Sequence, residues 1–230
     1  MLSERLEAVL SQITEGGVLA DVGTDHGYLA IEAVRRGKCI KAIAMDVNKG
    51  PLERAGKHIK ESQMEHLIET RLSDGFDKLK KGEAASAVIA GMGGRLICGI
   101  IERNPDVSQG LKELIISPQS DIEYVRGRLR QLGFAVIDED MVKEDGKYYV
   151  IIKTAYQPDK TGLCDEVTSA YGRKLIEKSH PVLKEYLRDE RAKLEGVLNE
   201  LESAGKRGNE RYMQIMHKMG INKKAQEMTD

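Results

Sequence analysis

The 230-residue sequence has no tryptophan, only two phenylalanines, and no apolar run long enough to span a bilayer. Aliphatic side chains must therefore fill its core, and a chain of this length can bury one without disulfides or a structural metal. Its three cysteines, Cys39, Cys98 and Cys164, are odd in number and scattered, with no CxxC pair. This spacing speaks against a zinc site or a disulfide scaffold and for reduced thiols in a cytosol, and the histidines add no metal constellation. A basic segment leading into an apolar one is also missing at the N-terminus, so the expectation is a soluble cytoplasmic protein with no membrane partner. Neither sign of charge is in excess, with 36 Lys and Arg against 37 Asp and Glu. A wholesale polycation is excluded, and any nucleic-acid surface has to be a local patch. The oligomeric state stays open, and a monomer is compatible with everything above.

What is present is an alternation of short apolar runs with amphipathic stretches. Leu2, Leu6, Val9, Leu10 and Ile13 recur at helical spacing and predict an opening helix stopped by Gly16 and Gly17. Strands are expected at Val18–Val22, Ile40–Met45, Ile68–Leu72, Ala87–Ala90 and Leu114–Ile116, with helices between them, one opening at Pro51 as its first residue. A helix from about Asp121 to Leu132 precedes two runs, Phe134–Ile137 and Tyr148–Ile152, that flank turn residues 144–147 and predict an antiparallel hairpin. The fold class that follows is α/β, a doubly wound Rossmann-like sheet, mainly parallel and finished by a reversed strand. Class I methyltransferases have this pattern, as do other α/β enzymes.

Beyond Gln157 the composition turns to long charged stretches of helical period, which divides the chain into a domain over 1–157 and a helical one over 158–230. One stripe comprises Leu183, Leu187, Leu194, Val197, Leu198 and Leu201, the other Tyr212, Met213, Ile215, Met216 and Met219. A coiled-coil-like helical hairpin would bury both, although Glu190 interrupts the first and denies it a regular heptad.

The most informative segment is Asp21-Val22-Gly23-Thr24-Asp25-His26-Gly27, where the first strand meets its helix. Ligands bind at that edge of open α/β sheets. Gly23 lets backbone approach a ligand, and Asp21 suits a cationic amino group. A nicotinamide fingerprint would need glycine where Asp25 stands, because a carboxylate there repels the pyrophosphate. S-adenosylmethionine, a sulfonium without phosphate, tolerates it. Asp46, about 25 residues beyond Asp21, ends the second strand, where a carboxylate can take ribose hydroxyls, with Asn48 beside it. Asp74-Gly75 repeats the arrangement after the third strand, with Asp74 able to accept from the adenine amine. Any one of these acids could be only a helix cap; three at successive strand ends read as a cofactor site.

Gly91-Met92-Gly93, continued by Gly94, follows the fourth strand and is nearly free of side chains. Either a ligand approaches closely there, or a helix packs tightly on a strand. Asp25, His26 and Tyr28 offer a carboxylate, an imidazole and a phenol near that point, and they are the candidates for catalysis. The other histidines, His58, His66, His180 and His217, have no comparable neighbours in sequence and are expected to be solvated or structural.

Taken together, Asp21 to Ala30, Asp46-Val47-Asn48, Ser73 to Phe76 and Gly91 to Ile97 resemble the TrmK family of bacterial tRNA methyltransferases. The resemblance runs to about Tyr156, and the helical tail agrees in kind with that family's C-terminal domain. It implies methylation of N1 of adenine 22 in tRNA with S-adenosylmethionine as donor. Two positions depart from the pattern: Ser117-Pro118-Gln119-Ser120 replaces a Gln-Pro-Asn type motif, and Gly27 stands where many members carry alanine. On this reading the tRNA backbone would meet basic residues of the tail, namely Arg173, Lys174, Lys178, Lys206, Arg207, Arg211, Lys218, Lys223 and Lys224, any of which could equally be an ordinary solvated charge. Action on another RNA or a small molecule, and a non-catalytic cofactor-sensing RNA-binding protein, are the competing readings. The pairing of Asp25 with His26 favours an enzyme.

Overall fold

Aliphatic runs too short for helices become the strands of a seven-stranded sheet: β1 Val18–Val22, β2 Lys41–Asp46, β3 Ile68–Leu72, β4 Ser86–Ala90, β5 Glu113–Ser117, β6 Phe134–Glu144 and β7 Lys147–Tyr156. The computed structural model describes residues 2–162 and 165–230, and in it the chain forms two units, Met1–Gly162 and Leu163–Asp230. The first unit also holds helices α1 Glu4–Gln12, α2 Tyr28–Arg35, α3 Lys49–Glu61, α4 Gly94–Arg103, α5 Pro105–Ser108 and α6 Ile122–Gln131. Strand order is β3-β2-β1-β4-β5-β7-β6, all parallel except β7, which runs against both of its neighbours. The chain winds outward from β1 and then, in the other direction, from β4. Their carboxyl ends therefore flank the point where the winding reverses, the place where such sheets leave a crevice.

The central strands explain the shortage of aromatics. Leu19, Val88, Ile89, Leu114, Ile115 and Ile116 are fully buried, each worth about 1.5–3 kcal/mol relative to exposure. Interdigitated β-branched and leucine side chains fill the volume that rings would otherwise take. Helix α1 packs its Val9 and Leu10 into the same cluster as Ile31 and Ile59. Its C-terminal end is held by a buried polar knot: Glu113 accepts from the Thr14 amide (2.8 Å), the Thr14 hydroxyl (2.7 Å) and Ser86 (2.9 Å) and pairs with Lys153 at 2.8 Å. Burial alone would raise the pKa of Glu113, but these donors together hold it below the ordinary value.

Several details differ from the sequence-based expectation. Helix α3 opens at Lys49 after an Asn48 cap, so Pro51 is its third residue rather than its first; proline is tolerated there because a first-turn N–H has no helical acceptor. The hairpin is longer than expected, with β6 and β7 extending to a two-residue turn in which Asp145 (φ 48°) and Gly146 (φ 74°) are both left-handed. That conformation matches the twist of paired strands, which lets the ladder continue past the apolar core. Of the cysteines, Cys39 and Cys98 are free and buried, their thiols pushed up to about 11 by burial; Cys164 lies outside the described residues.

The second unit consists of α7 Glu166–Tyr171, α8 Arg173–Glu177, α9 Pro181–Ser203 and α10 Glu210–Thr229. Leu194 and Leu198 of α9 pack with Ile215 of α10, while Asn222 reaches back to the Leu187 carbonyl at 3.0 Å, so the two long helices are antiparallel. Met213 and Met216, expected in the apolar seam, are instead exposed, and Asn222, Ala225 and Thr229 are buried. Ile215, with Tyr212 and Met219 beside it, fills the seam against Leu194 and Leu198 and leaves the two methionines outside, while the inward turn of Asn222 answers Glu190. Its carboxylate accepts from Tyr171 (2.6 Å), Asn222 (3.0 Å) and Tyr186 (3.1 Å) and pairs with Lys218 at 3.1 Å. A buried carboxylate needs such partners, so α10 turns its polar residues inward at this level. The interruption of the apolar stripe is a satisfied polar core, not a break in the packing.

Candidate active site

The carboxyl ends of β1, β2 and β3 carry the three predicted acids in a row. Asp21, next to last in β1, is buried. Burial pushes its pKa up to about 6 against a hydrogen bond from Thr24, with the nearby Asp46 charge adding to the rise. Asp46 ends β2, and its Oδ1 accepts from the Asn48 amide at 2.8 Å, an Asx turn that leaves Oδ2 without a hydrogen bond among the described residues. Asp74 lies just past β3, where the Ser73 amide donates to the Asp46 carbonyl at 2.8 Å. A bidentate contact from Arg103, 3.0 and 3.1 Å, holds Asp74 below the ordinary carboxylate range. This partner is invisible in the sequence, where Arg103 stands 29 residues away.

Opposite the acids, the turns after β1 and β4 meet. The amides of Gly23 and Thr24 both donate to the Met45 carbonyl, at 2.8 and 2.9 Å, which fixes Gly23 at φ 82°. A Cβ on Gly23 would fall 2.2 Å from the Met92 methyl. The glycine run after β4 divides between its two readings. A Cβ on Gly94 would lie 2.4 Å from the Ser120 carbonyl and 2.5 Å from Val125, so that glycine serves the contact of α4 with α6. At Gly91 (φ 79°) a Cβ would meet only Arg5 Nη1 at 3.3 Å and Gln119 Nε2 at 3.8 Å, which are side-chain ends and not packed backbone. Gly93 caps α4.

The predicted catalytic trio is assembled on the loop into α2. Asp25 is exposed; it pairs with Arg54 of α3, and its second oxygen is 3.2 Å from His26 Nε2. The Arg54 hydrogen bond, backed by the His26 and Arg54 charges against slight burial, holds Asp25 below its ordinary pKa. His26 and Tyr28 are stacked, with ring centroids 5.3 Å apart and planes 9° apart. His58 completes the stack, 5.0 Å from Tyr28, with its Nδ1 2.9 Å from the His26 carbonyl. The expectation that His58 stands alone is therefore corrected, since α3 brings it beside the loop across 32 positions. Arg54 and His58 are the residues that sequence reasoning misses here. Their spacing of four along one helix, on the same face, is the available signal.

Solved structures share this arrangement of elements. Streptococcus pneumoniae Sp1610 in complex with S-adenosyl-L-methionine is 30% identical, with a TM-score of 0.87 over 98% of this chain and 100% of that one. M. capricolum TrmK in complex with S-adenosyl-homocysteine is 26% identical, with a TM-score of 0.86 over the full length of both chains. The strand order and the row of acids facing a glycine turn define a class I methyltransferase. A methyltransferase domain family matches residues 2–152. The tRNA (adenine(22)-N(1))-methyltransferase of Bacillus subtilis (strain 168) is 37% identical over 171 residues, 74% of this chain and 71% of that protein, and the chain belongs to its family, the TrmK tRNA adenine-N1 methyltransferases.

Proposed function

We infer that this protein transfers a methyl group from S-adenosylmethionine to N1 of adenine 22 of tRNA, with its strand-end acids holding the donor and the Asp25 loop serving the acceptor. The observation that carries the reading is the row Asp74, Asp46, Asp21 on adjacent strands, facing Gly91-Met92-Gly93 and flanked by Asp25, His26 and Tyr28. The donor set suits a cationic nucleoside: three carboxylates, two glycines without Cβ atoms, and no phosphate cradle. Asp46 would bind the ribose with Asn48 beside it, Asp74-Gly75 the adenine, and Asp21 with Gly23 the methionine ammonium. When bound, S-adenosylmethionine supplies an electrophilic methyl group.

The residues near the acceptor then have a limited task. Adenine N1 carries its own lone pair and needs no base, provided that it is aligned with the departing sulfur. Asp25 stays ionised under its Arg54 partner, so it stabilises positive charge on the ring and does not collect a proton. The His26, Tyr28 and His58 stack offers an aromatic surface to orient a base that has left its pair. The helical unit holds tRNA backbone through exposed Lys206, Arg211 and Lys224, which make no ion pair among the described residues, whereas Lys174, Lys218 and Lys223 are each paired with a glutamate. No helix among the described residues is long and apolar enough to cross a membrane; we place the protein in the cytoplasm with its tRNA.

Mass spectrometry of nuclease fragments, beside that of free nucleosides, after reaction with unmodified tRNA tests the reading. One 1-methyladenosine at position 22 is expected, and a product at another site overturns it. Replacing Lys206, Arg211 and Lys224 together with alanine should weaken tRNA binding about tenfold and flatten its salt dependence; unchanged values would remove the tail from tRNA binding.

Asp21 provides a pH test. Its folded value of about 6 lies above the ordinary 3.8. Stability from the bound proton is therefore present in acid and lost as pH rises through about 6. A cationic ammonium favours the ionised form, so ligand binding at pH 6 should release a fraction of a proton, seen as a binding heat that varies with the buffer. Asp21→Asn should abolish that variation; if it persists, the ammonium lies elsewhere.

A further inference from the structure

N1 is the atom of the acceptor adenine that takes the methyl group, so the base has to be recognised through an edge that leaves N1 bare. The Hoogsteen edge does so. It presents one donor, the N6 amine, and one acceptor, N7, and a primary amide matches both at once. We propose that the side-chain amide of Gln119 selects the acceptor adenine by accepting from N6 and donating to N7. The proposal rests on the reading of this protein as an adenine-N1 methyltransferase and adds the residue that chooses the base.

Gln119 belongs to Ser117-Pro118-Gln119-Ser120, the segment after β5 that departs from the family pattern and has no part in the cofactor site. Its backbone is fixed against the glycine turn after β4. Ser117 ends β5 opposite Ala90, the Gly91 amide donates to the Ser117 carbonyl at 3.1 Å, and the Gln119 amide donates to the Met92 carbonyl at 2.9 Å. Pro118 between them is buried and restricts the chain further. The Gln119 side chain is exposed and makes no hydrogen bond among the described residues. Its Nε2 lies 3.8 Å from where a Gly91 Cβ would be, so the glycine leaves the space in front of the amide open. The group is placed but uncommitted.

Position and chemistry set Gln119 apart from other groups near the strand ends. The donor is assigned to the ends of β3, β2 and β1, and β5 lies on the other side of β4 from them. The Asn48 amide follows β2, two strands or about 10 Å from β4, on the donor side. Asn104 is bonded to Asp77 at 2.9 Å. Asp25 can accept from N6, but a carboxylate has no proton to give N7. Guanine presents two acceptors, O6 and N7, on the same edge, so a bidentate amide distinguishes the two purines. The N6 contact also strengthens as the ring becomes cationic, which places part of the interaction in the transition state alone.

Two transfer RNAs test the assignment, one with adenosine and one with 7-deazaadenosine at position 22. The second keeps N1 and N6 but has a carbon in place of N7. Single-turnover methylation at saturating tRNA is measured on native protein and on Gln119→Ala, with S-adenosylhomocysteine affinity by calorimetry. Gln119→Ala should be about 30-fold slower on adenosine, and the native preference for adenosine over 7-deazaadenosine should exceed that of the variant about tenfold. S-adenosylhomocysteine affinity should stay within about twofold, which also shows that the variant is folded. A native rate on adenosine, or equal slowing on both tRNAs with the preference intact, overturns the proposal. A loss of S-adenosylhomocysteine affinity as large as the loss of rate overturns it too and assigns Gln119 to the donor. If native protein methylates neither tRNA at position 22, the reading of the acceptor is what has failed.

Discussion

Asp25→Asn is expected to slow single-turnover methylation of tRNA about 100-fold while changing S-adenosylhomocysteine affinity by less than about threefold. The substitution keeps size and one acceptor oxygen but removes the charge, the property that matters to an adenine becoming cationic at N1. Asp25 is held ionised by Arg54 and lies next to the stacked His26 and Tyr28 rings, on the turn that leaves β1. Its low pKa has a further consequence: over pH 6 to 8 the native rate should show no inflection belonging to this group. Rapid-quench transfer of labelled methyl, beside calorimetry on the same protein, reads both quantities. Near-normal turnover would remove Asp25 from catalysis, and parallel losses of rate and affinity would move it into the cofactor site.

Asp46→Ala should act on the other half of the reaction. Its Oδ1 is engaged by the Asn48 amide at 2.8 Å, and Oδ2 has no partner among the described residues, so the carboxylate is pre-oriented with an acceptor open. Loss of two charge-assisted hydrogen bonds to ribose is expected to weaken binding about 100-fold, or ~2.7 kcal/mol. Methylthioadenosine retains the ribose and should weaken equally. Because Asp46 is at the end of a strand and only partly buried, the fold should survive. A folded variant with native affinity would show that the ribose is held elsewhere.

Asp46 and Asp21 are legible in the sequence because a parallel sheet puts the residues that end apolar runs at one edge, so position along the chain translates directly into position in the site. The motif Asp21 to Tyr28 is legible for the same reason, since a strand-to-helix turn is local. Arg54 and His58 are not, because they act through α3 packing beside the loop from 29 and 32 residues away. Glu190 is visible as an interruption, but its meaning is not; four partners drawn from α7, α9 and α10 turn a flaw in a heptad into a buried network.

Apolar periodicity and the residues that punctuate it determined the alternation of strands and helices, the reversed final strand, and the row of acids at the strand ends. These features depend on hydrogen bonding and side-chain direction within a few residues, which the chain carries locally. Tertiary structure alone decided which charges are paired, which are open, and which are displaced from their ordinary pKa. Asp25 and Asp74 are similar carboxylates in sequence, yet each gained its own arginine, while Asp21 gained burial and a raised pKa. Charge energies fall off over a few ångströms and depend on the solvent left around each group, so they are properties of the packed molecule.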